Sequence, residues 1–344
     1  MGTTAYQPLV LVETSELPRE EWLAYRRRGI GGSDAAAVLG ISPFMTGRDL
    51  YYDKLGISAA ADDENWVAKE IGHRLEPLVA EIFSKRTGLK VFQKKFMFQH
   101  PQYPWMLADL DYLVELPDGS IAILECKTST SNSSENWWYA GKEIVPAYYE
   151  SQGRHYMAVM NYGKTFFCCL FTDTREAIIR SIDRDMAYEE ELIALEDTFW
   201  NENVVKQLPP EYTENGDLVM KSVQRLLGPA ATDAPPVVIT PPQFSRVKKF
   251  MQLQEQKSGF DAEIKKLDKE MARLKALIVA DMGNSCKALY EDAEGNYTIT
   301  YNPVYKQSIP KEGLDRLKAV HPEIYSEYVK TSESRRFLVK KVSD

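Results

Sequence analysis

Scarcities narrow this sequence before anything it contains does. Four cysteines in 344 residues (Cys126, Cys168, Cys169 and Cys286) make no C-x-x-C pair. Neither a zinc site nor an iron–sulfur cluster is therefore supported, and reduced thiols buried in a cytosolic protein are the better reading. No apolar run approaches the roughly 20 residues of a membrane span, and no secretory pattern opens the chain. Positive charge is also short, 42 basic against 50 acidic side chains for a net charge of −8. No overall field draws the chain onto nucleic acid, so such binding would need local basic patches or a bound cation. The rest is ordinary for a soluble globular protein, 44% hydrophobic and 27% charged, with length enough for one large domain or a domain and an appendage.

What is present is organised around Trp105 to Lys127, WMLADLDYLVELPDGSIAILECK. Two runs rich in aliphatic and β-branched residues flank Pro117-Asp118-Gly119. Proline presets the first corner of a type I turn, aspartate suits the second, and glycine supplies the left-handed residue of a G1 bulge. That loop pairs Leu116 with Ser120. Counting back by twos sets Asp111 opposite Glu125 and Asp109 opposite Lys127, all on one face, with Leu124 and Cys126 on the other. A two-residue loop would shift the register by one and turn Asp111 away.

Two carboxylates this close repel, and each is pushed toward protonation unless a cation joins them. Oxygen ligands of this kind suit Mg²⁺, with Mn²⁺ as its substitute, because such ions take one or two carboxylates and keep several waters. A lysine alongside can help activate water and neutralise a phosphoryl transition state. The plain alternative is a solvated ladder of charge pairs. The apolar neighbours Leu107, Leu110, Leu113, Ile121, Ile123 and Leu124 weigh against it, since they place the hairpin centrally, where unpaired charge is costly.

Other stretches fall in order around this one. Gly31-Gly32-Ser33 precedes a short helix from Asp34 to Leu39, a geometry that exposes backbone N–H groups and suits a phosphate or an ordinary capped turn. Trp66 to Lys85 follows helical spacing, with Glu76 at the edge of its apolar stripe and Pro77 demanding a kink or a helix start. Val91 to Gln99 reads as a strand carrying Lys94 and Lys95. Pro146 to Met160 reads as a helix with Gln152 and Tyr156 four apart on one face, and His155 as structural. Residues 208–243 are proline-rich. From Phe244 to Met282 the apolar positions step by three, four and seven, as in a helical hairpin arm or a coiled coil. A basic tail, SRRFLVKK, closes the chain and could touch DNA, dock a partner or form an edge strand.

Asp111 followed by Glu125-Cys126-Lys127 resembles the D…E-x-K signature of the PD-(D/E)xK nucleases. With Arg26 and GIGGSDAAAVLG, GHRLEP ending at Pro77, ADLD ending at Asp111, and Gln152 with His155-Tyr156, the chain resembles the YqaJ-type viral recombinase or lambda exonuclease family over about residues 20–200. The resemblance implies an α/β fold: a restriction-endonuclease-like core, a mixed β-sheet flanked by helices, at residues 15–205. A proline-rich linker (206–243) and a helical, partly coiled-coil extension (244–344) complete the expected domains. It further implies a metal held by Asp111, Glu125, the backbone carbonyl of Cys126, and Glu76. Lys127 and Gln152 would be catalytic beside these acids, with DNA contacts from Arg26 or Arg28, Ser33 and Tyr156.

The implied activity is 5′→3′ exonuclease digestion of linear double-stranded DNA ends in a bacterial cytoplasm, phage or prophage encoded. Its expected partners are a single-strand annealing recombinase and further copies of the chain in a homo-oligomer. An endonuclease on the same core, or a non-catalytic DNA-end-binding assembly protein, are the alternatives.

Overall fold

Two sheets share one run of chain, which crosses between them twice. A computed structural model describes residues 6–57, 66–228, 234–292, 295–305 and 309–329. It divides into two units, Met1–Thr232 and Asp233–Asp344. The first unit begins with strand β1 (Leu9–Glu13), helix α1 (Arg19–Arg26), the short β2 (Ile30–Gly31), and helices α2 (Gly32–Val38), α3 (Gly47–Lys54) and α4 (Trp66–Thr87). Strands β3 (Lys90–Phe92), β4 (Phe96–Gln99), β5 (Met106–Asp109), β6 (Tyr112–Glu115) and β7 (Ile121–Ser129) follow. A small ribbon of β8 (Trp138–Tyr139) and β9 (Lys142–Glu143) leads to α5 (Ala147–Met160), β10 (Lys164–Phe171), β11 (Glu176–Asp183), α6 (Met186–Thr198) and α7 (Gly216–Leu227).

One sheet runs β1-β4-β5-β2 and the other β11-β10-β7-β6-β3. The fold is thus mixed α/β with flanking helices. The stretch Val91 to Gln99, expected as one strand, is divided between the sheets, with Lys94 and Lys95 in the crossing. Likewise Leu110-Asp111 separates β5 in one sheet from β6 in the other. The N-terminal strand β1 lies at the edge of its sheet, antiparallel to β4.

Alternation along β7 decides what each helix meets. Ala122 and Leu124 face α4, burying Val79, Ala80 and Phe83 in a cluster that includes Val114 and Cys168. Ile123 faces the other way, into a cluster with Leu50, Tyr156 and Met157. Strand β10 lies parallel to β7, Phe167 beside Glu125 and Cys169 beside Lys127. Helix α5 makes the crossover that a parallel pair requires, and so lies over the face carrying Glu125 and Lys127. Helix α4 continues on both sides of Pro77; the proline neither starts nor ends it.

The segment read as a linker, 206–243, is not all linker. Gly216–Leu227 is a helix whose N-terminus is capped by Asn215, the side-chain oxygen accepting the Leu218 N–H at 3.0 Å. It docks on α3: Ser222 Oγ donates to Asp49 Oδ1 at 2.8 Å, and Arg225 pairs with Asp49 Oδ2 at 2.8 Å. Three turns of helix between proline-rich flanks are too short to outweigh those flanks in composition, so local pattern gives a linker there.

The second unit holds a long helix, α8 (Pro241–Met282), a hairpin of β12 (Lys287–Asp292) and β13 (Gly295–Thr300), and helices α9 (Lys311–Val320) and α10 (Pro322–Tyr328). The basic tail SRRFLVKK lies outside the described residues. Among the described residues, no helix is long and apolar enough to cross a membrane.

Candidate active site

The site forms where β6 stops and β7 continues. The turn fixes the register: Gly119 is left-handed (φ 79°), and Leu116 N–H donates to the Ser120 carbonyl at 2.9 Å. Asp118 Oδ1 accepts the Ser120 N–H at 2.9 Å. Glu115 then pairs with Ile121 and Tyr112 with Leu124, which brings Asp111 level with Glu125. There the ladder ends, because Leu110-Asp111 leave toward β5 and the edge of β7 from Glu125 onward loses its neighbour.

Asp111 fills that edge with its side chain, Oδ2 accepting the Cys126 N–H at 2.9 Å. Gln93 Nε2 donates to the Asp111 carbonyl at 3.2 Å. Backbone groups that lose their ladder inside a protein need substitutes of this kind. On an extended strand the N–H and C=O of one residue leave on the same edge. The Cys126 carbonyl therefore lies on the edge that Asp111 occupies.

Glu125 is 1% exposed. Its Oε2 accepts from Lys127 Nζ at 2.8 Å and from Gln152 Nε2 at 2.7 Å, and Lys127 also donates to Gln152 Oε1 at 3.0 Å. The Lys127 ammonium stands 5.0 Å from the centre of the Tyr149 ring, a cation–π contact that closes its apolar side. The other oxygen, Glu125 Oε1, is buried and has no hydrogen-bond partner among the described residues.

Charge is unevenly shared here. Burial, and then the charge of Asp111, push the Glu125 carboxyl up to about 8 against the pull of Lys127. Glu76, half-buried on α4, is raised to about 7 by burial and by Asp111, opposed by Lys95 and Lys127. Asp111 is raised by burial, with Lys127 and the Cys126 N–H holding it back. Burial works against the charge on Lys127, but Glu125 and Asp111 outweigh it and hold the ammonium firmly protonated. Three acids thus lean on one buried lysine and the more distant Lys95.

Asp109 departs from expectation. A continuous strand would set it opposite Lys127. Instead β5 belongs to the other sheet, where Asp109 pairs with Met97 and its Oδ2 accepts the Trp22 indole N–H at 2.7 Å. The pattern of alternation carried no sign of the crossing at Leu110-Asp111.

A second polar cluster lies between α1, α2 and α3. Asp34, buried, receives Arg26 Nη2 on Oδ1 at 2.7 Å, and Lys54 Nζ at 2.6 Å and the Gly31 N–H at 3.0 Å on Oδ2. Arg26 also donates to the exposed Ser33 hydroxyl at 2.5 Å and lies over the Trp22 ring. Burial alone would raise Asp34, yet Arg26 and Lys54 hold it well below the usual carboxylate range. The structure separates the neighbouring arginines: Arg26 joins this cluster, whereas Arg28 is exposed over Tyr25.

Tyr156, grouped with the DNA contacts by resemblance, is buried, only 6% exposed. Its ring packs on Gly32 so closely that a Cβ there would fall 2.5 Å from Cε1. His155 bonds Glu196 at 2.8 Å and the Leu107 carbonyl at 2.9 Å, pinning α5 to α6 and β5. Sequence reasoning passed over Asp34, Lys54, Trp22 and Tyr149. Only Asp34 gave a signal, as the third helical residue after the Gly31 cap, a capping-box position.

Among the described residues, no three His, Cys, Asp or Glu side chains form a ready metal-ligand group. A hard divalent cation does not need one, since it takes one or two carboxylates and keeps its waters. The bare Oε1 of Glu125, the carboxylate of Asp111 and the Cys126 carbonyl on the shared edge fit that demand, with Glu76 adding negative charge.

Residues 21–163 match the YqaJ-like viral recombinase domain. Over 346 residues, 99% of this chain and 100% of the relative, the chain is 30% identical to the uncharacterized protein YqaJ of Bacillus subtilis strain 168. The chain belongs to the YqaJ-like viral recombinase family. Among solved structures it is similar to the Laribacter hongkongensis alkaline exonuclease LHK-Exo in complex with dAMP. That match is at 21% identity, covering 60% of this chain and 98% of that one, with a TM-score of 0.45. A phage related exonuclease from Haemophilus somnus 129PT is similar at 13% identity, over 52% and 96% of the two chains, with a TM-score of 0.39.

Proposed function

We propose that the chain is a Mg²⁺-dependent deoxyribonuclease that digests linear double-stranded DNA ends 5′→3′ and leaves single strands for recombination. One observation carries the reading: among the described residues Glu125 is buried beside Asp111 with an oxygen that has no partner, in a site whose acids outnumber its cations. Such a site is costly as it stands and fits a missing divalent charge. Asp111, Glu125, the Cys126 carbonyl and Glu76 would hold Mg²⁺, or Mn²⁺ in its place. The ion's contribution is Lewis acidity toward a phosphoryl oxygen and a lowered pKa for water.

The chain's own groups do the rest. Lys127, kept protonated, donates to the attacking water and to the phosphoryl oxygens on which negative charge builds. Gln152 fixes both partners at once, its carbonyl oxygen on Lys127 and its amino group on Glu125, so the ammonium cannot swing away. Arg26 and the exposed Ser33 hydroxyl sit together and supply donors for the phosphate of a DNA 5′ end. Arg28 adds charge from a separate, exposed position, and Tyr156 supports the DNA-binding loop from beneath through Gly32. A single-strand annealing recombinase and a homo-oligomer of this chain are the partners that go with this activity.

Linear duplexes carrying a phosphate at one chosen 5′ end test the reading directly. Digestion should start from that end in Mg²⁺ and cease in EDTA. Nicking of a supercoiled circle would make the chain an endonuclease, and end binding with no cleavage in any divalent ion would leave it a binding protein.

A further inference from the structure

Helix α8 extends for 42 residues without burying one of them. Its apolar side chains nevertheless recur at an interval of seven: Leu253, Phe260, Leu267 and Leu274 form one row, and Ile264, Met271 and Ile278 a second row offset by three or four. Lys257 takes the remaining place in the second row. These are the a and d positions of a heptad repeat, and a strict seven-residue repeat keeps its seam in line only against another helix wound around it. Among the described residues the seam is left open, from 41% exposed at Ile278 to 66% at Phe260 and Met271. Near its C-terminal end Met271, Leu274 and Ile278 border a groove of about 250 Å³ with Ile299 of β13 and Tyr301 just after it.

We propose that this seam docks a helix of another protein, one whose own apolar row is flanked by lysines and arginines. The charges beside the seam select that occupant. Asp261 and Asp268 follow the apolar row on one flank and Glu263 and Glu270 on the other, with Lys275 the one basic flanking residue over those heptads. The basic residues Lys265, Lys266 and Lys269 occupy the face turned away, and Arg273 reaches from that face to pair with Glu270 at 3.0 Å, an exposed contact that a partner's basic residue would compete for.

A second copy fits poorly. Paired antiparallel about its middle, Asp261 would meet Asp268 and Glu263 would meet Glu270, each twice by symmetry. Paired parallel, Glu263 would meet Asp268 and Lys257 would face Lys257, against a single favourable contact of Glu270 with Lys275. Charges at these flanking positions set partner choice and orientation. A basic-flanked helix turns every acidic contact favourable, and Lys257 fixes its register by asking for an acidic or polar partner opposite. The docking surface is independent of the nuclease reading.

The test uses the full chain and two labelled synthetic peptides of about four heptads, alike in their Ile and Leu seam. One carries Lys and Arg at the flanking positions and the other Glu. Fluorescence anisotropy should show the basic peptide binding at least about tenfold more tightly, with the advantage shrinking as salt is added. Leu267→Asp, at an exposed position that should leave the helix content seen by circular dichroism unchanged, should abolish binding. Reversing the flank with Asp261→Lys, Glu263→Lys, Asp268→Lys and Glu270→Lys should transfer the preference to the acidic peptide.

Equal binding of both peptides, or of neither, overturns the proposal. So does concentration-dependent self-association in sedimentation that Leu267→Asp removes, which would give the seam to a second copy. Binding that emerges only after residues 330–344 are deleted would give it to the chain's own tail.

Discussion

Asp34 and Glu125 are both carboxylates closed off from water in the same unit, yet they titrate in opposite directions. Asp34 has two cations and a backbone N–H of its own. Glu125 shares one lysine with Asp111, accepts one amide, and keeps an oxygen with no partner among the described residues. Burial is common to both, so it cannot be the cause of the difference; the supply of positive charge is. An acid whose neutralisation is complete within the chain holds a loop in place. One left short of positive charge is suited to receive a charge from outside.

The largest effect should come from breaking the satisfied side. Asp34→Asn strands Lys54, whose side chain is 0% exposed, and a buried charge deprived of its partner costs about 3–5 kcal/mol. A fall in Tm on the order of 10 °C should follow, read by differential scanning calorimetry. A fall within a degree of wild type would mean that Asp34 and Glu125 are not opposites at all.

Next comes the unsatisfied side. Glu125→Gln should leave the fold intact and lower cleavage of linear duplex DNA by about 10²–10³-fold, the usual loss of a transition-state-stabilising group. Full activity in that variant would remove Glu125 from the site.

Divalent ions and pH sharpen the contrast. Mg²⁺ or Mn²⁺ at about 100 times its Kd should stabilise the wild type by about 2.7 kcal/mol, a rise in Tm of about 5–10 °C, and Glu125→Gln should lose most of it. Glu125 ionises at about 8 in the fold against 4.5 when free. In chelated protein its contribution to stability is therefore complete below pH 4.5 and disappears as pH rises through about 8. Asp34 is lowered from 3.8, so its contribution is present above that value and disappears only in acid. Tm in EDTA should thus decline between about pH 5 and 8, and less steeply in Glu125→Gln. A slope unchanged by that substitution would place the titrating group elsewhere.

The smallest effect concerns the turn that brings Asp111 level with Glu125. Gly119→Ala meets no atom within 4 Å but must adopt φ 79°. It should cost about 1–2 kcal/mol and leave metal stabilisation unchanged, since register is held by Leu116 and Ser120 as well.

The hairpin was legible because its turn residues have few conformations to choose from, and one good turn sets every pair behind it. Glu125, Lys127 and Gln152 follow from that register together with the helical spacing of α5. Local pattern could not show where one sheet gives way to another: Val91 to Gln99 and Trp105 to Leu116 each read as unbroken, and so Asp109 was set in the wrong place. Lys54 was equally hidden, since a lysine in the last turn of a helix looks like any solvated one until α2 is laid across it. Helix α7 disappeared into its proline-rich surroundings.

The crossing at Leu110-Asp111 has a mechanical corollary. Asp111 rides on the strip that joins two platforms, whereas Glu125 is anchored deep in one of them. Tilting the platforms against each other would move the first acid and leave the second still, so substitutions at remote outer strands such as β1 would reset the spacing of the two acids without touching either one.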